Sequence, residues 1–157
     1  MAAELILGLA YTPAQLLPQT APMLLLDGIS DYGADWLTAT VTIRRDSFLC
    51  DERGVPAWAG IEYIAQTAAA WAGIEAHQAG RRPGVALLIG TRRYRCAVER
   101  FLPTATLEIH AQLVMLDNDA LAAFDCEIRT GKIVIATAQI KAYRPPDIQV
   151  FLKEQAR

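Results

Sequence analysis

The sequence predicts one α+β domain in which a long central helix lies against an antiparallel sheet. Three observations predict it. From Pro56 to about Gln78 runs a stretch that is free of proline after its first residue and apolar nearly all round. Before it, and more often after it, come segments in which apolar and polar residues alternate with a period of two, as half-buried strands do. The segments after the helix are joined by connections of turn length, which antiparallel neighbours can use and parallel ones cannot.

At 157 residues the length points to a single domain, 1–157, with its core over about 13–144. A chain of this size buries enough surface to fold without a disulfide or a metal. Of the residues, 53% are hydrophobic and 20% charged, a globular composition slightly rich in apolar surface, as a subunit interface requires. The net charge of −2 gives no general attraction to nucleic acid or anionic membranes. Cys50, Cys96 and Cys126 are far apart, and their spacing suits neither zinc nor a redox dithiol. A reducing cytoplasm is the expected compartment. The N-terminal stretch lacks a basic region and does not read as a signal peptide. No run approaches ~20 apolar residues, so no membrane span is expected.

The first ten residues are apolar and unpatterned. Thr12-Pro13 reads as a helix start, giving a short helix from Pro13 to Leu17 that stops at Pro18. Pro22 to Ile29 is an apolar run of strand length, and Asp31 to Asp35 reads as a turn. Trp36 to Arg44 is a β-rich strand with Leu37, Ala39, Val41 and Ile43 on one face. Pro56 suits the first turn of the long helix and Gly80 its stop. A helix apolar on every side is buried on every side, and its alanines admit a closely wrapped sheet. Strands follow over Gly84 to Arg95, Thr106 to Leu116, Leu121 to Arg129 and Ile133 to Tyr143, the last two joined by a hairpin at Thr130-Gly131-Lys132.

Chemistry has few places to sit. There are two histidines. His110, between Glu108 and Gln112, belongs to a polar strand face. His77 follows Glu62 by fifteen residues, which is about 22 Å along a helix, too far for the two to work together within one chain. Glu62 stands out, because it lies in the first two turns of the long helix among apolar neighbours (VPAWAGIEYIAQ). A buried carboxylate needs a partner, a hydrogen bond or a proton, and the helix N-terminus favours its anion. Gln66, one turn on, shares its face. The alternative is a partly exposed Glu that only supports the first turn. Neither Ser47 nor Cys50 has a base near it, so nucleophilic catalysis finds no support, and no glycine pattern forms a phosphate loop. Arg92, Arg93, Arg95 and Arg100 cluster after one strand, as a solvated strand end or as a patch for an acidic partner.

Three segments carry a resemblance. Leu16 to Ile29 (LLPQTAPMLLLDGI) resembles the opening LLPHRxPxLLLDRV of the β-hydroxyacyl-acyl-carrier-protein dehydratases. Val55 to Gln66 is similar without gaps to the start of their central helix, with Pro56, Gly60 and Gln66 matching and Glu62 where they carry the catalytic Asp or Glu. Arg100 to Leu113 resembles their RPVxPGDxLxxEVxL segment. Within the family the chain is most similar to the divergent ApeP-like branch found with aryl-polyene pigment genes, through VPAWAGIEYIAQ, Leu88 to Arg95 and Phe124-Asp125-Cys126. The resemblance implies a hotdog fold and a hydro-lyase (dehydratase) that removes water from 3-hydroxyacyl thioesters in fatty-acid or polyketide-type synthesis. No cofactor is implied beyond the phosphopantetheine of an acyl carrier protein, and no metal.

One departure matters. The dehydratases place a histidine fourteen residues before the acid, and here that position is Phe48, while the histidine of their LLPHR motif is Gln19. In the family the histidine and the acid of one site come from different protomers. The resemblance therefore implies that this chain supplies Glu62, a helix N-terminus at Ala59 and Gly60 aimed at the thioester carbonyl, and pocket residues Phe48, Pro56 and Gln66. A His-bearing dehydratase would supply the base in a heterodimer, with a homodimer of this chain as the other possible assembly. Arg93, Arg95 and Arg100 would dock the acidic carrier protein. A non-catalytic scaffold for a dehydratase, or a hotdog thioesterase using Glu62, are the alternatives.

Overall fold

The computed structural model describes residues 11–118 and 120–157. The unpatterned first ten residues lie outside the described range. Helix α1 spans Pro13–Leu16, and strands β1 (Gly28–Tyr32), β2 (Trp36–Thr42) and β3 (Val55–Pro56) precede the central helix α2 (Gly60–Gln78). After it come β4 (Leu87–Cys96), β5 (Arg100–Phe101), β6 (Thr106–Leu116), β7 (Leu121–Thr130), β8 (Ile133–Tyr143) and α3 (Ile148–Gln155). Six strands form one antiparallel sheet in the order β1-β2-β6-β7-β8-β4, and β3 pairs separately with β5. This is the α+β hotdog arrangement that the sequence predicts.

Alternation decides which way each strand faces. In β2, Leu37, Ala39 and Val41 are buried, with Ile43 beyond its end, and in β6 Leu107, Ile109 and Ala111 are buried. The two strands pair in register, Leu37 opposite Ala111 and Val41 opposite Leu107, so their apolar faces form one surface against α2. From β7 and β8, Phe124, Ile128 and Ile140 extend that surface. Trp71 of α2 packs edge-on against Phe124 and donates from its indole N–H to the carbonyl of Ala34 at 3.2 Å. The hairpin after β7 turns at Gly131 (φ +57°), in the left-handed region that a two-residue hairpin needs.

The structure departs from the sequence reading in four places. The apolar run Pro22 to Ile29 is not a strand: β1 starts only at Gly28 and continues through Asp31 to Tyr32, so the turn shrinks to 33–35. Residues 22–27 instead follow α2, held by Gln66. Pro56 belongs to β3, and a 3-10 turn over Ala57–Ala59 precedes the α-helix proper. Strand β4 carries two bulges, between Leu88 and Gly90 and between Arg92 and Arg95, which break the expected alternation. Helix α3, capped by the Asp147 carboxylate accepting from the N–H groups of Gln149 and Val150, has no counterpart in the expectation.

Tyr63 sits inside the fold against Phe101, with ring centroids 5.9 Å apart. Burial pushes its hydroxyl up to about 12, with the negative charge of Asp27 adding to the effect. Above pH ~10 an unfolded tyrosine loses its proton while this one keeps it, so the unfolded state is the one favoured as pH rises. The contribution is whole below pH ~10 and is lost between there and about 12, at roughly 1.4 kcal/mol per pH unit. Tyr63→Phe should therefore unfold less steeply with pH over that window than the unsubstituted chain, as thermal melts at pH 9 and pH 11 will show.

Candidate active site

The start of α2 is fixed by the strands that lead into it. Val55 pairs with Phe101, and Pro56 with Arg100. The N–H of Ala57 donates to the carbonyl of Glu99 at 3.0 Å. The Tyr94 hydroxyl donates to the Ala57 carbonyl across a short contact. Burial holds that hydroxyl well above its ordinary range, so it remains a donor. No side chain caps the helix at Ala59, and Glu62 is the acidic residue of its first turn.

Gln66 then fixes Glu62. Its side chain is almost fully buried (1% exposed) and every polar group on it is used. The Oε1 accepts from the Leu25 N–H at 2.9 Å, and Nε2 donates to the Met23 carbonyl at 2.7 Å and to Glu62 Oε1 at 2.9 Å. Because the Leu25 N–H has to meet the amide oxygen, the amide nitrogen has to face Glu62. The Oε1 of Glu62 is thereby an acceptor already in use, and a proton carried by the carboxyl resides on Oε2. Gln66→Leu keeps the volume but strands the Leu25 N–H and the Met23 carbonyl, so it should cost about 2 kcal/mol of stability in urea unfolding.

Along α2 the residues Glu62, Ala65, Ala69, Ala72 and Glu75 are only half-buried, whereas their neighbours to either side, the half-buried Ile61 apart, are covered. Their spacing puts them on one stripe. That stripe floors a half-open cavity of about 270 Å³, roofed by Leu87 and Leu88 of β4, Phe124 of β7 and Ile140 of β8. One end holds Glu62 and Gln66, and Glu75 lies thirteen residues further, about 20 Å along the axis, with Gln19 and Arg144 in the same wall. The space between is lined largely by alanine and is suited to an extended apolar chain.

Of the residues singled out from sequence, the cavity wall takes Glu62 and Gln66. Ala59 and Gly60 are buried behind it, Pro56 is half-buried in β3, and Phe48 is 39% exposed in the loop before β3. Gln19, Glu75 and Arg144 were missed. They come from segments far apart in sequence, and no local pattern joins them.

Neither histidine reaches the carboxylate. His110 lies on the outer face of β6, between the buried Ile109 and Ala111, where its Nδ1 is 2.8 Å from Thr38 Oγ1 and its ring rests on Trp36. The sheet separates it from α2. His77 is at the other end of α2, its Nε2 3.0 Å from the Gln15 carbonyl and its ring against Tyr11. Among the described residues no cluster of His, Cys, Asp or Glu could hold a metal ion, and no helix is long and apolar enough to cross a membrane.

The arginines separate into two groups. Arg92, Arg93 and Arg95 are all exposed, because the bulge at Arg93 (φ +55°) turns consecutive side chains outward and leaves Tyr94 inward. Arg100 is committed internally: its Nη1 lies 2.9 Å from Asp51 Oδ2 and 3.3 Å from the Gly54 carbonyl.

A long helix wrapped by a six-stranded antiparallel sheet, with a carboxylate at the helix head opening on an apolar channel, places the chain among the hotdog proteins. The family described as ApeP dehydratase (ApeP-like) matches residues 11–153, and the chain belongs to that family. Among solved structures, it is similar to the dehydratase heterocomplex ApeI:P from Xenorhabdus doucetiae, with a TM-score of 0.85 and 25% identity over 94% of this chain and 99% of that one. The same fold recurs in Cj0977, a virulence protein of Campylobacter jejuni (TM-score 0.65, 13% identity, 86% of this chain and 96% of that one). It recurs again in a hypothetical thioesterase with coenzyme A from Streptococcus pneumoniae (TM-score 0.58, 9% identity, 74% and 83%). No curated protein matches the sequence.

Proposed function

We propose that this chain contributes the acid half of a dehydratase site for 3-hydroxyacyl thioesters, and that a histidine-bearing hotdog partner contributes the base. The observation that carries this reading is the Glu62 carboxyl, held by Gln66 at the head of an apolar channel that neither His77 nor His110 reaches. The relative from Xenorhabdus doucetiae is a dehydratase heterocomplex, which supports a hetero-oligomeric partner. In the reaction the partner's imidazole takes the α-proton, the Cα–Cβ double bond forms, and the Cβ–O bond breaks. Glu62 passes a proton from Oε2 to the departing oxygen, so that it leaves as water. The carboxyl regains its proton from the imidazolium. The positive end of α2 at Ala59 and Gly60 would favour the developing enolate charge through its dipole, the Gly60 N–H itself being bonded to the Ala57 carbonyl.

The acyl chain would arrive in the cytoplasm on the phosphopantetheine of an acidic carrier protein, within aryl-polyene-type acyl assembly, and no other cofactor is required. Arg93 and Arg95 are free to meet that carrier, while Arg100 is tied to Asp51. Arg93→Glu with Arg95→Glu should weaken carrier binding at low salt and leave the melting temperature almost unchanged.

The test is a dehydration assay on 3-hydroxyacyl-carrier protein, with this chain alone and together with a histidine-bearing hotdog dehydratase encoded beside it. Turnover by the pair and background by the chain alone is the expected result. Family-like turnover by the chain alone would overturn the shared site. Acyl-thioester hydrolysis without dehydration would make it a thioesterase.

A further inference from the structure

Tyr94 reaches the head of α2 through an irregularity in its own strand. The bulge at Arg93 (φ +55°) breaks the alternation of β4 and turns the phenol inward between two exposed arginines. Its hydroxyl donates to the Ala57 carbonyl, which already accepts the Gly60 N–H. That carbonyl is therefore satisfied without Tyr94, and a phenylalanine would fill the same half-buried place with no hydroxyl to desolvate. The helix side of the contact is equally particular. A Cβ on residue 60 would lie 2.3 Å from the Tyr94 hydroxyl, so the approach requires glycine, a residue that weakens a helix. Two choices that stability alone disfavours thus converge on the turn just before Glu62. The backbone there is held from both sides, the Ala57 N–H by the Glu99 carbonyl at 3.0 Å and the Ala57 carbonyl by Tyr94.

We propose that Tyr94 is a positioning residue for the reaction, its hydroxyl locating the first turn of α2 so that Glu62 presents Oε2 to the departing oxygen. This rests on the dehydratase reading above. Gln66 holds the Glu62 carboxyl at Oε1 alone, and a carboxyl bonded at one oxygen can still swing about that bond. Where the second oxygen points depends on where the Glu62 Cα lies, and the anchored turn decides that. Tyr94 is outside the cavity wall, so it acts through Glu62 and not on the substrate.

The experiment uses the complex of this chain with its histidine-bearing partner, as wild type, Tyr94→Phe, Glu62→Gln and the double variant. The probes, 3-hydroxydecanoyl-pantetheine and 3-fluorodecanoyl-pantetheine, give the same enoyl product. In both, the partner's imidazole takes the α-proton. The hydroxyl needs a proton to leave as water, whereas fluoride leaves as the anion. Displacing a positioned acid should make Tyr94→Phe roughly tenfold slower in kcat on the hydroxyacyl probe. In the Glu62→Gln background, with no acid left to place, the same substitution should change kcat by less than about twofold. The fluoroacyl rate should hold in Tyr94→Phe. Gly60→Ala displaces the same hydroxyl from the helix side, should give the same pattern, and guards against a folding defect in the first variant. An unchanged hydroxyacyl kcat, an equal loss in both backgrounds, or an equal loss on both probes overturns the role of Tyr94 and leaves the dehydratase reading standing. A wild-type complex that does not dehydrate the hydroxyacyl probe overturns both.

Discussion

In complex with its histidine-bearing partner, Glu62→Gln should lose dehydration by about 10²–10⁴-fold, the usual contribution of a positioned general acid. The substitution is close to isosteric, and its new amide oxygen still accepts from Gln66 Nε2, so the tie to Met23 and Leu25 survives. The fold and the assembly should therefore be unchanged by circular dichroism and size exclusion, and KM should move far less than kcat. A variant that retains more than a tenth of the wild-type kcat would remove Glu62 from the chemistry and favour a scaffold that only supports its partner.

Gly60→Val is the second large effect, and it acts on stability. A Cβ at Gly60 would lie 2.3 Å from the Tyr94 hydroxyl, 2.9 Å from Ile128 Cδ1 and 3.2 Å from Phe101 Cζ. Tyr94 and Ile128 belong to the six-stranded sheet and Phe101 to β5 of the small β3–β5 pair, and Tyr94 is the residue that holds the Ala57 carbonyl. Two further methyl groups leave no rotamer free of collision, so the helix start has to move away from β4. Overpacking of this kind costs about 3 kcal/mol, which urea unfolding will resolve. Gly60→Ala should cost less and still displace Tyr94. A valine variant as stable as wild type would mean that the helix start yields easily, contrary to the contacts that frame it.

The parts of the fold that sequence made legible are those where one period rules a long segment. Strands β2 and β6 follow from alternation alone, and α2 from a circumference that is apolar nearly all round. The run Pro22 to Ile29 misled because apolar residues at strand length report burial and not the partner. Here the partner is the Gln66 amide of a helix instead of a neighbouring strand. In β4 the two bulges each shift the alternation by a residue, so the outward direction of Arg93 could not be counted from Tyr94. Glu62 was legible as a carboxylate out of place among apolar neighbours. Gln19 was visible only as a replacement for a family histidine, because its burial in the same wall depends on a chain path that no local pattern encodes.

The tether between α2 and residues 22–27 also makes the acid observable. The Leu25 amide hydrogen is bonded to the Gln66 side chain and to no strand ladder. Its exchange with deuterium therefore proceeds by local release of that one side chain, without opening of the sheet. Since the same amide holds Glu62 Oε1, the exchange rate at Leu25 reports how firmly the carboxyl is kept in place. A backbone proton some forty residues upstream in the chain is thus a resident isotope clock for the acid, readable without substrate and without turnover.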